Sequence, residues 1–279
     1  MDKLKTYLKH PLSFVLLILI GLASIITVAS IIFIIIYILV NGIPNLTTDL
    51  FSLHYNSKNQ SMLPSIFNTV FITFLTLLIA VPIGIFSAVY LVEYAKKGSK
   101  LVKVIRVTTE TLAGIPSIVF GLFGFLAFVI ALGWGYSMIA GVLTLVMMVL
   151  PTIIRTTEEA LLAVPNSYRE GSFGLGAGKI RTIFKIIVPI AIPGILSGVI
   201  LAIGRIVGET AALIYTSGTV AETATSLTDS ARTLSVHLYC LLSEGLFTNQ
   251  AYATAVILLL LVVGINALSN FIAKKLAKK

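Results

Sequence analysis

The chain has 279 residues, of which 57% are hydrophobic and only 11% charged, and its mean hydropathy is +1.03. Soluble domains carry about 25% charged residues, so this composition excludes a soluble enzyme or nucleic-acid-binding module and requires an integral membrane protein. The net charge of +9 is explained by topology below and implies no nucleic acid.

Runs with few or no charges occupy residues 12–40, 64–92, 107–131, 136–154, 186–214 and 251–273, and one crossing of a bilayer needs about 20 apolar residues. The runs are far longer than barrel strands and do not alternate apolar with polar residues. The predicted fold is therefore all-α, with six transmembrane helices in one domain over 1–279. Basic residues gather at Lys3, Lys5 and Lys9, at Lys96, Lys97, Lys100, Lys103 and Arg106, at Arg155, Arg169, Lys179, Arg181 and Lys185, and at Lys274, Lys275, Lys278 and Lys279. The opposite loops hold only Lys58 and Arg232. The positive-inside rule places both termini and the loop over 155–185 in the cytoplasm of a multi-pass protein of the cell (inner) membrane. The first run is longer than a signal-peptide core of about 7–15 residues and lacks a cleavage site, so it reads as a retained signal anchor.

In chain order, the first span is longer than a bilayer core and should tilt or project. The loop after it carries His54, a solvated residue with no assigned role. The second span contains Pro82 and Gly84 and ends at Tyr90 and Tyr94 beside lysines, an interfacial anchor; Pro82 makes either a hinge or a static kink. The third holds Gly114, Pro116, Gly121 and Gly124, with Glu110 near its cytoplasmic end, where a carboxylate either snorkels or acts as a gate or partner for a basic residue. A short link over 132–136 makes the third and fourth spans antiparallel neighbours. Pro151 and Arg155 close the fourth.

A polar, glycine-rich island follows from Glu158 to Pro189, the one sizeable soluble piece on its side. Its GSFGLGAGKI stretch fails as a phosphate-cradling loop: Phe173 occupies the first glycine position and Ile180 the hydroxyl position. The chain has no ATP site of its own here, and an ATP-driven process needs a separate subunit.

The fifth span carries two stripes of small residues, Gly194, Gly198 and Ala202, then Gly204, Gly208 and Ala212, the mark of packed helix faces. Arg205 and Glu209 stand four apart on one continuous helix and so are expected to pair across a turn. Intramembrane charge costs about 2.5–3.5 kcal/mol per residue at a helix centre, so the pair marks either a functional site or an ion pair that locks helices together. In the segment 215–250 a polar first half precedes Leu234, Leu238, Leu241 and Leu242 at helical spacing, read as an amphipathic helix on the outer surface that receives a solute-binding protein or lies in the interface as a plug. His237 and Cys240 lie in it without further ligands and make no metal site. Cys240, the lone cysteine, allows no internal disulfide and reads as a packing residue. No Ser-His, paired-Asp or His-Glu-x-x-His combination suggests an intramembrane enzyme.

Glu170, Gly171 and Ser172, three residues, Gly176, nine residues, then Ile186, Val188 and Pro189 resemble the coupling loop of ATP-binding-cassette (ABC) importer permeases, Glu-Ala-Ala, three residues, Gly, nine residues, Ile-x-Leu-Pro. Gly171 and Ser172 replace alanines and Val188 a leucine, all small or apolar changes; Gly176 allows the sharp turn. PIGIFSAVYLVEYA, GIPSIVFGLFG, RTTEEALLAVP and GRIVGETAAL narrow the resemblance, over Pro82 to Leu213, to the permeases of phosphate-specific transport (Pst) systems, PstA-type above all. The resemblance implies a type I importer fold, with Arg205, Glu209 and Thr210 in a substrate pathway and Glu159, Glu170, Gly171, Ser172 and Gly176 coupling to ATPase subunits. Glu110 is the candidate gate. Glu209 would orient the guanidinium or accept the proton that hydrogen phosphate keeps and sulfate lacks. The implied partners are a homologous PstC-type permease, two PstB-type ATPase subunits that use ATP and Mg, and an extracytoplasmic PstS-type phosphate-binding protein. The rivals are a permease for sulfate, molybdate or phosphonate, and an ATP-independent secondary transporter, for which an internal inverted repeat would be expected and none is seen.

Overall fold

In hydrocarbon every backbone amide and carbonyl must be satisfied within the protein. The computed structural model describes residues 11–96 and 98–277, and these contain helices and turns and no strand. Of the basic residues used for topology, Lys3, Lys5, Lys9, Lys97, Lys278 and Lys279 lie outside the described residues.

The elements are α1 (Pro11–Gly42), α2 (Leu63–Val89, ending in a π turn over Tyr90–Tyr94), α3 (Lys100–Ala113), α4 (Ser117–Gly124, extended by a π turn over Phe125–Ala131) and α5 (Met138–Leu162). Then come α6 (Asn166–Gly174), α7 (Lys179–Thr182), which runs through a π turn over Ile183–Ile187 into α8 (Val188–Val207), α9 (Ala211–Thr216), α10 (Leu234–Glu244) and α11 (Thr248–Ala277). Five helical stretches are long and apolar enough to cross a membrane, and the pair α3 and α4 is long and apolar enough only taken together, with a bend of 104° between them.

That bend corrects the third predicted run. The stretch 107–131 is cut at Gly114–Pro116: Gly114 ends α3, and Pro116, at φ −58° and ψ 141°, starts α4. Proline disfavours the helical conformation of the residue before it, so an apolar run that counts as one span turns a corner. Glu110 belongs to the amphipathic α3.

The centre of the bundle is α5. Its Met138, Val142, Leu145, Met148, Val149 and Ile153 are buried together with Ile72 and Ala80 of α2 and Ala202 and Ile206 of α8. By contrast α1 is wholly exposed along its apolar window and meets the bundle through α11, where the Tyr37 and Tyr252 hydroxyls lie 3.3 Å apart. A second core, with Ala88, Leu91, Leu161, Ile183 and Ile187, fills the end of the bundle that carries the loop over 155–185.

The fifth predicted run is also interrupted. α8 stops at Val207, and Gly208, Glu209 and Thr210 separate it from α9. The first small-residue stripe packs as expected: Gly194 faces Ala160, and Gly198 faces Thr156 of α5. The second packs only at Ala212, which is buried against Gly121 of α4. A side chain at Gly204 would meet nothing within 4 Å, and one at Gly208 only its own helix's carbonyl.

At the other end of the bundle, α10 is no surface helix. Leu234, Ser235, Val236, His237 and Leu241 are buried, while Tyr239 and Leu242 are half exposed. The irregular segment before it caps α5, whose first amides, Met138 N–H and Ile139 N–H, donate to Asp229 O and Leu227 O at 2.8 and 2.9 Å. Asn68 of α2, 1% exposed, fixes the same segment, donating to Glu222 O and Arg232 O and accepting from Ala224 N–H.

The close approach of α4 to α9 depends on Gly121. A Cβ there would lie 2.7 Å from Ala212 Cα and 3.2 Å from Ala211 O, both backbone atoms that cannot swing away. Gly121→Leu is expected to destabilise the purified protein by about 1–3 kcal/mol, whereas Gly21→Leu, in open space on α1, leaves thermal unfolding in detergent unchanged.

Candidate functional site

The polar island folds as a helix, a turn and a re-entry. α6 begins after Pro165 and ends at Leu175, and Gly176 reverses the chain at φ +81°, a conformation that glycine adopts without penalty. Ser172 is buried, its hydroxyl 2.8 Å from that of Thr182, which ties the third residue of the Glu-Gly-Ser triplet to the returning segment. Glu170 and Gly171 are exposed, and so are Tyr168, Phe173 and Leu175, the last at 91%. An uncovered apolar rim with a free carboxylate is what a helix seated in a partner's groove presents.

Arg169 holds this helix in place. Its guanidinium uses all five donors: Nε and Nη2 bond Glu93 Oε1 at 3.0 and 2.7 Å, Nη2 also bonds Leu161 O, and Nη1 bonds Val164 O and Asn166 Oδ1. Leu161 and Val164 lie at the C-terminus of α5, where carbonyls lack intrahelical partners. Glu93 lies in the π turn that ends α2. One side chain therefore joins α2, α5 and α6, with side chains only 16% and 10% exposed for Arg169 and Glu93. Lys179 over the Tyr94 ring at 4.7 Å adds a second tie. Sequence reasoning counts Arg169 only as a topological charge; spacing gives no signal that separates it from the exposed Arg181 of the same loop.

Glu159 and Glu110 belong to a neighbouring charged cluster. Arg106 of α3 pairs with Glu158 of α5 at 2.5 Å, and Arg155 with Glu159 at 3.0 Å one turn apart. Both of the latter are more than half exposed, so that pair contributes little. Glu110 lines a cavity of about 230 Å³ with these four residues, Thr109 and Leu162, and makes no ion pair among the described residues.

In the bundle, Arg205 and Glu209 are separated. The helix break ends the register that would align them, and no ion pair joins them. Arg205 sits in the last turn of α8, where the helix dipole favours a cation. It lines a cavity of about 530 Å³ with Thr152, Ile200, Leu201, Gly204 and Asn266. Glu209 is 8% exposed, and its Oε1 accepts from Ala212 N–H at 3.0 Å, capping α9. Its own carbonyl accepts from Ser235 of α10. Thr210 makes the break with it, its hydroxyl turned back to Gly208 O at 3.4 Å. Asn266 Oδ1 is buried without a hydrogen-bond partner among the described residues, a condition that costs about 1–3 kcal/mol. Sequence reasoning missed Asn266, one amide in a long apolar span.

At the far end, Arg232 stacks over Tyr55 at 5.5 Å and lies 3.4 Å from His237 Nδ1. Burial first, then the Arg232 charge, lowers the His237 pKa to about 4. Backbone amides of Ser226 and Thr225 hold the Asp229 carboxyl below its ordinary value. Burial raises the Cys240 thiol.

Residues 80–279 match the model of the binding-protein-dependent transport system inner membrane component family. The chain belongs to that family. The permease is 32% identical over 277 residues, 93% of its length and 94% of the relative's, to the probable ABC transporter permease protein YqgI of Bacillus subtilis. It is 38% identical over 199 residues to the phosphate transport system permease protein PstA of Yersinia pestis, covering 71% of this chain and 67% of that one. With PstA 1 of Mycobacterium tuberculosis it shares 46% identity over 140 residues, half of this chain and 45% of that protein. Its fold is that of a bacterial alginate ABC transporter solved with a pentasaccharide-bound periplasmic protein (TM-score 0.72, 15% identity, 98% of both chains). The MetNI methionine ABC transporter is a second neighbour (TM-score 0.59, 20% identity, 76% of this chain and 93% of that one). It is thus a multi-pass ABC-importer permease, a transport subunit.

Because Arg169 is shielded and fully bonded, its loss is expected to loosen the permease more than the loss of an exposed pair. A double-mutant cycle of Arg169→Ala and Glu93→Ala should give a coupling of about 1–3 kcal/mol, read from thermal unfolding. Arg169→Lys should not restore it, since an ammonium has three donors on one atom and cannot span three elements.

Proposed function

We propose that this chain is the permease half of an ATP-driven importer of inorganic phosphate. The observation that carries the reading is Arg205, a permanently charged residue held beside a cavity where α8 breaks, in a chain similar to PstA permeases. Irregular backbone at membrane depth is tolerated where it is buried in protein or lines a cavity, and a guanidinium offers planar donors to phosphate oxygens. Glu209 and Thr210 shape the break and contribute to the pathway through the backbone they position.

In this reading the chain is one domain whose segment 155–185 lies in the cytoplasm with both termini. Glu170, Gly171 and the exposed rim around Leu175 dock into an ATPase subunit; Ser172 and Gly176 keep the helix folded back for that contact. Glu159 and Glu110 belong to the charged cluster where α3 meets α5, and Glu110 is placed to act as an inner gate. The pathway forms with a homologous PstC-type permease. Two PstB-type subunits bind ATP and Mg, and a PstS-type binding protein delivers phosphate. Closure of the ATPase dimer pushes α6, and the movement reaches α2 and α5 through Arg169.

The test is ATP-dependent uptake of radiolabelled phosphate into vesicles that contain the assembled complex. Wild type should take up phosphate in the presence of excess sulfate. Arg205→Gln, with assembly verified by co-purification, should lower uptake by at least about tenfold, the scale of a lost charged hydrogen bond. Uptake that survives the substitution would remove Arg205 from the pathway, and an assembled wild type that moves no phosphate would end the phosphate reading.

A further inference from the structure

We propose that α3 is an interfacial helix that binds anionic phospholipid headgroups: Lys96, Lys100 and Lys103 meet the phosphates, and Leu101, Val104 and Val107 enter the acyl boundary beside them. The inference rests on the chain being a multi-pass permease and is independent of which solute it carries.

The bend sets the direction of α3. α4 and its π extension, of 8 and 7 residues, rise about 20 Å and so take up most of a hydrocarbon core of about 30 Å. α3 leaves them at 104°. A 14-residue helix turned so far from a crossing segment runs nearer to the membrane plane than to its normal. Its neighbours set its level. It follows the exposed Tyr90 and Tyr94 at the end of α2, aromatic residues suited to the interface, and its Val102 is buried in the core at the loop end of the bundle.

Seen down its axis, α3 has three sides. Val102 and Ile105 pack against the protein. Arg106 and Glu110 line the charged cavity at the end of α5, where Glu158 engages Arg106. On the third side Leu101, Val104 and Val107 recur every three residues and are 58%, 63% and 54% exposed. Thr111 shares that side, and its hydroxyl donates to Val107 O, so it brings no unmet donor to an apolar surface. Lys100 and Lys103 each stand four residues before one of the exposed valines and are therefore their neighbours on the helix surface. Lys96 lies just ahead of the helix. All three lysines are exposed and make no ion pair among the described residues.

The charges decide the occupant. An apolar strip edged by unpaired cations matches a leaflet that is apolar within and anionic at its surface. Lysine suits that boundary, because its methylene stem stays on the apolar side while its ammonium reaches the phosphates. A protein neighbour would need carboxylates placed opposite all three lysines, whereas an anionic leaflet offers negative charge wherever an ammonium reaches.

The test uses the full chain, with Cys240→Ser and a bimane fluorophore on Val104→Cys, assembled with its partner subunits in liposomes. Quenching by phosphatidylglycerol with brominated acyl chains is compared, over a range of mole fractions, with quenching by phosphatidylcholine brominated in the same way. Phosphatidylglycerol should be preferred by at least about fivefold, the scale of one lysine at an anionic surface. Lys96→Gln, Lys100→Gln and Lys103→Gln combined should bring the two lipids within about twofold, and the three corresponding arginine substitutions, which keep the charges, should retain the preference.

Equal quenching by the two lipids with the lysines intact overturns the inference, as does a preference that survives the glutamine substitutions. A label that neither lipid quenches overturns it too, because a protein neighbour then covers α3. None of these outcomes bears on the phosphate reading, which is decided by the uptake assay.

Discussion

The whole arrangement depends on one guanidinium. Arg169 satisfies the open carbonyls at the end of α5, holds the Glu93 carboxylate of α2, and belongs to the short helix that reverses at Gly176. Without it, three buried acceptors at the loop end of the bundle lose their donors together, and each such loss costs more than the bond contributes net. The inner face of α6 is fixed in this way while its apolar rim is exposed. A helix of nine residues is too short to be stable by itself; it is held by its arginine and by the buried Ser172–Thr182 contact.

At membrane depth the organising constraint is the break after Val207. A continuous helix would let Arg205 and Glu209 neutralise each other. Ending α8 there puts the arginine at a helix C-terminus and the glutamate on the amides that start α9, so each charge is met by backbone dipoles and the arginine keeps its donors for something else. The glycine that precedes Arg205 then has a second use. A Cβ at Gly204 would meet nothing within 4 Å, and Gly204 lines the cavity beside the guanidinium.

Most of the fold was legible because lipid leaves few choices: long uncharged runs become helices, and five of the six predicted spans correspond to long helices, with the sixth bent at Pro116. Hydropathy averaged over a run could not see that bend, nor the break at Gly208, because the few charged residues near each, Glu110 and then Arg205 and Glu209, leave the run apolar as a whole. The turn in the polar loop was legible from spacing, and Gly176 adopts the positive φ expected of it. The clamp inside the loop was not. A basic residue near a membrane face looks the same in sequence whether it faces water or, like Arg169, four acceptor atoms supplied by residues up to 76 positions away. Asn266 was hidden for the opposite reason: its environment consists of side chains from α5 and α8 that no local pattern brings to α11. The helix over 234–244 was found by its leucine spacing, but an apolar stripe does not say whether it faces lipid or protein, and here it faces protein.

The central claim is that α6 and the end of α2 move as one body, so that force applied to the coupling helix reaches the helices around Arg205. Spin labels at Ser167→Cys and Tyr90→Cys, both exposed positions, in a Cys240→Ser background would report the distance between them in the assembled transporter with and without ATP. The account predicts one unchanged, narrow distance distribution in both states, which broadens when Arg169 is replaced by alanine. A distance that shifts on ATP binding in the intact protein would contradict it, since the coupling helix would then move against α2 rather than with it.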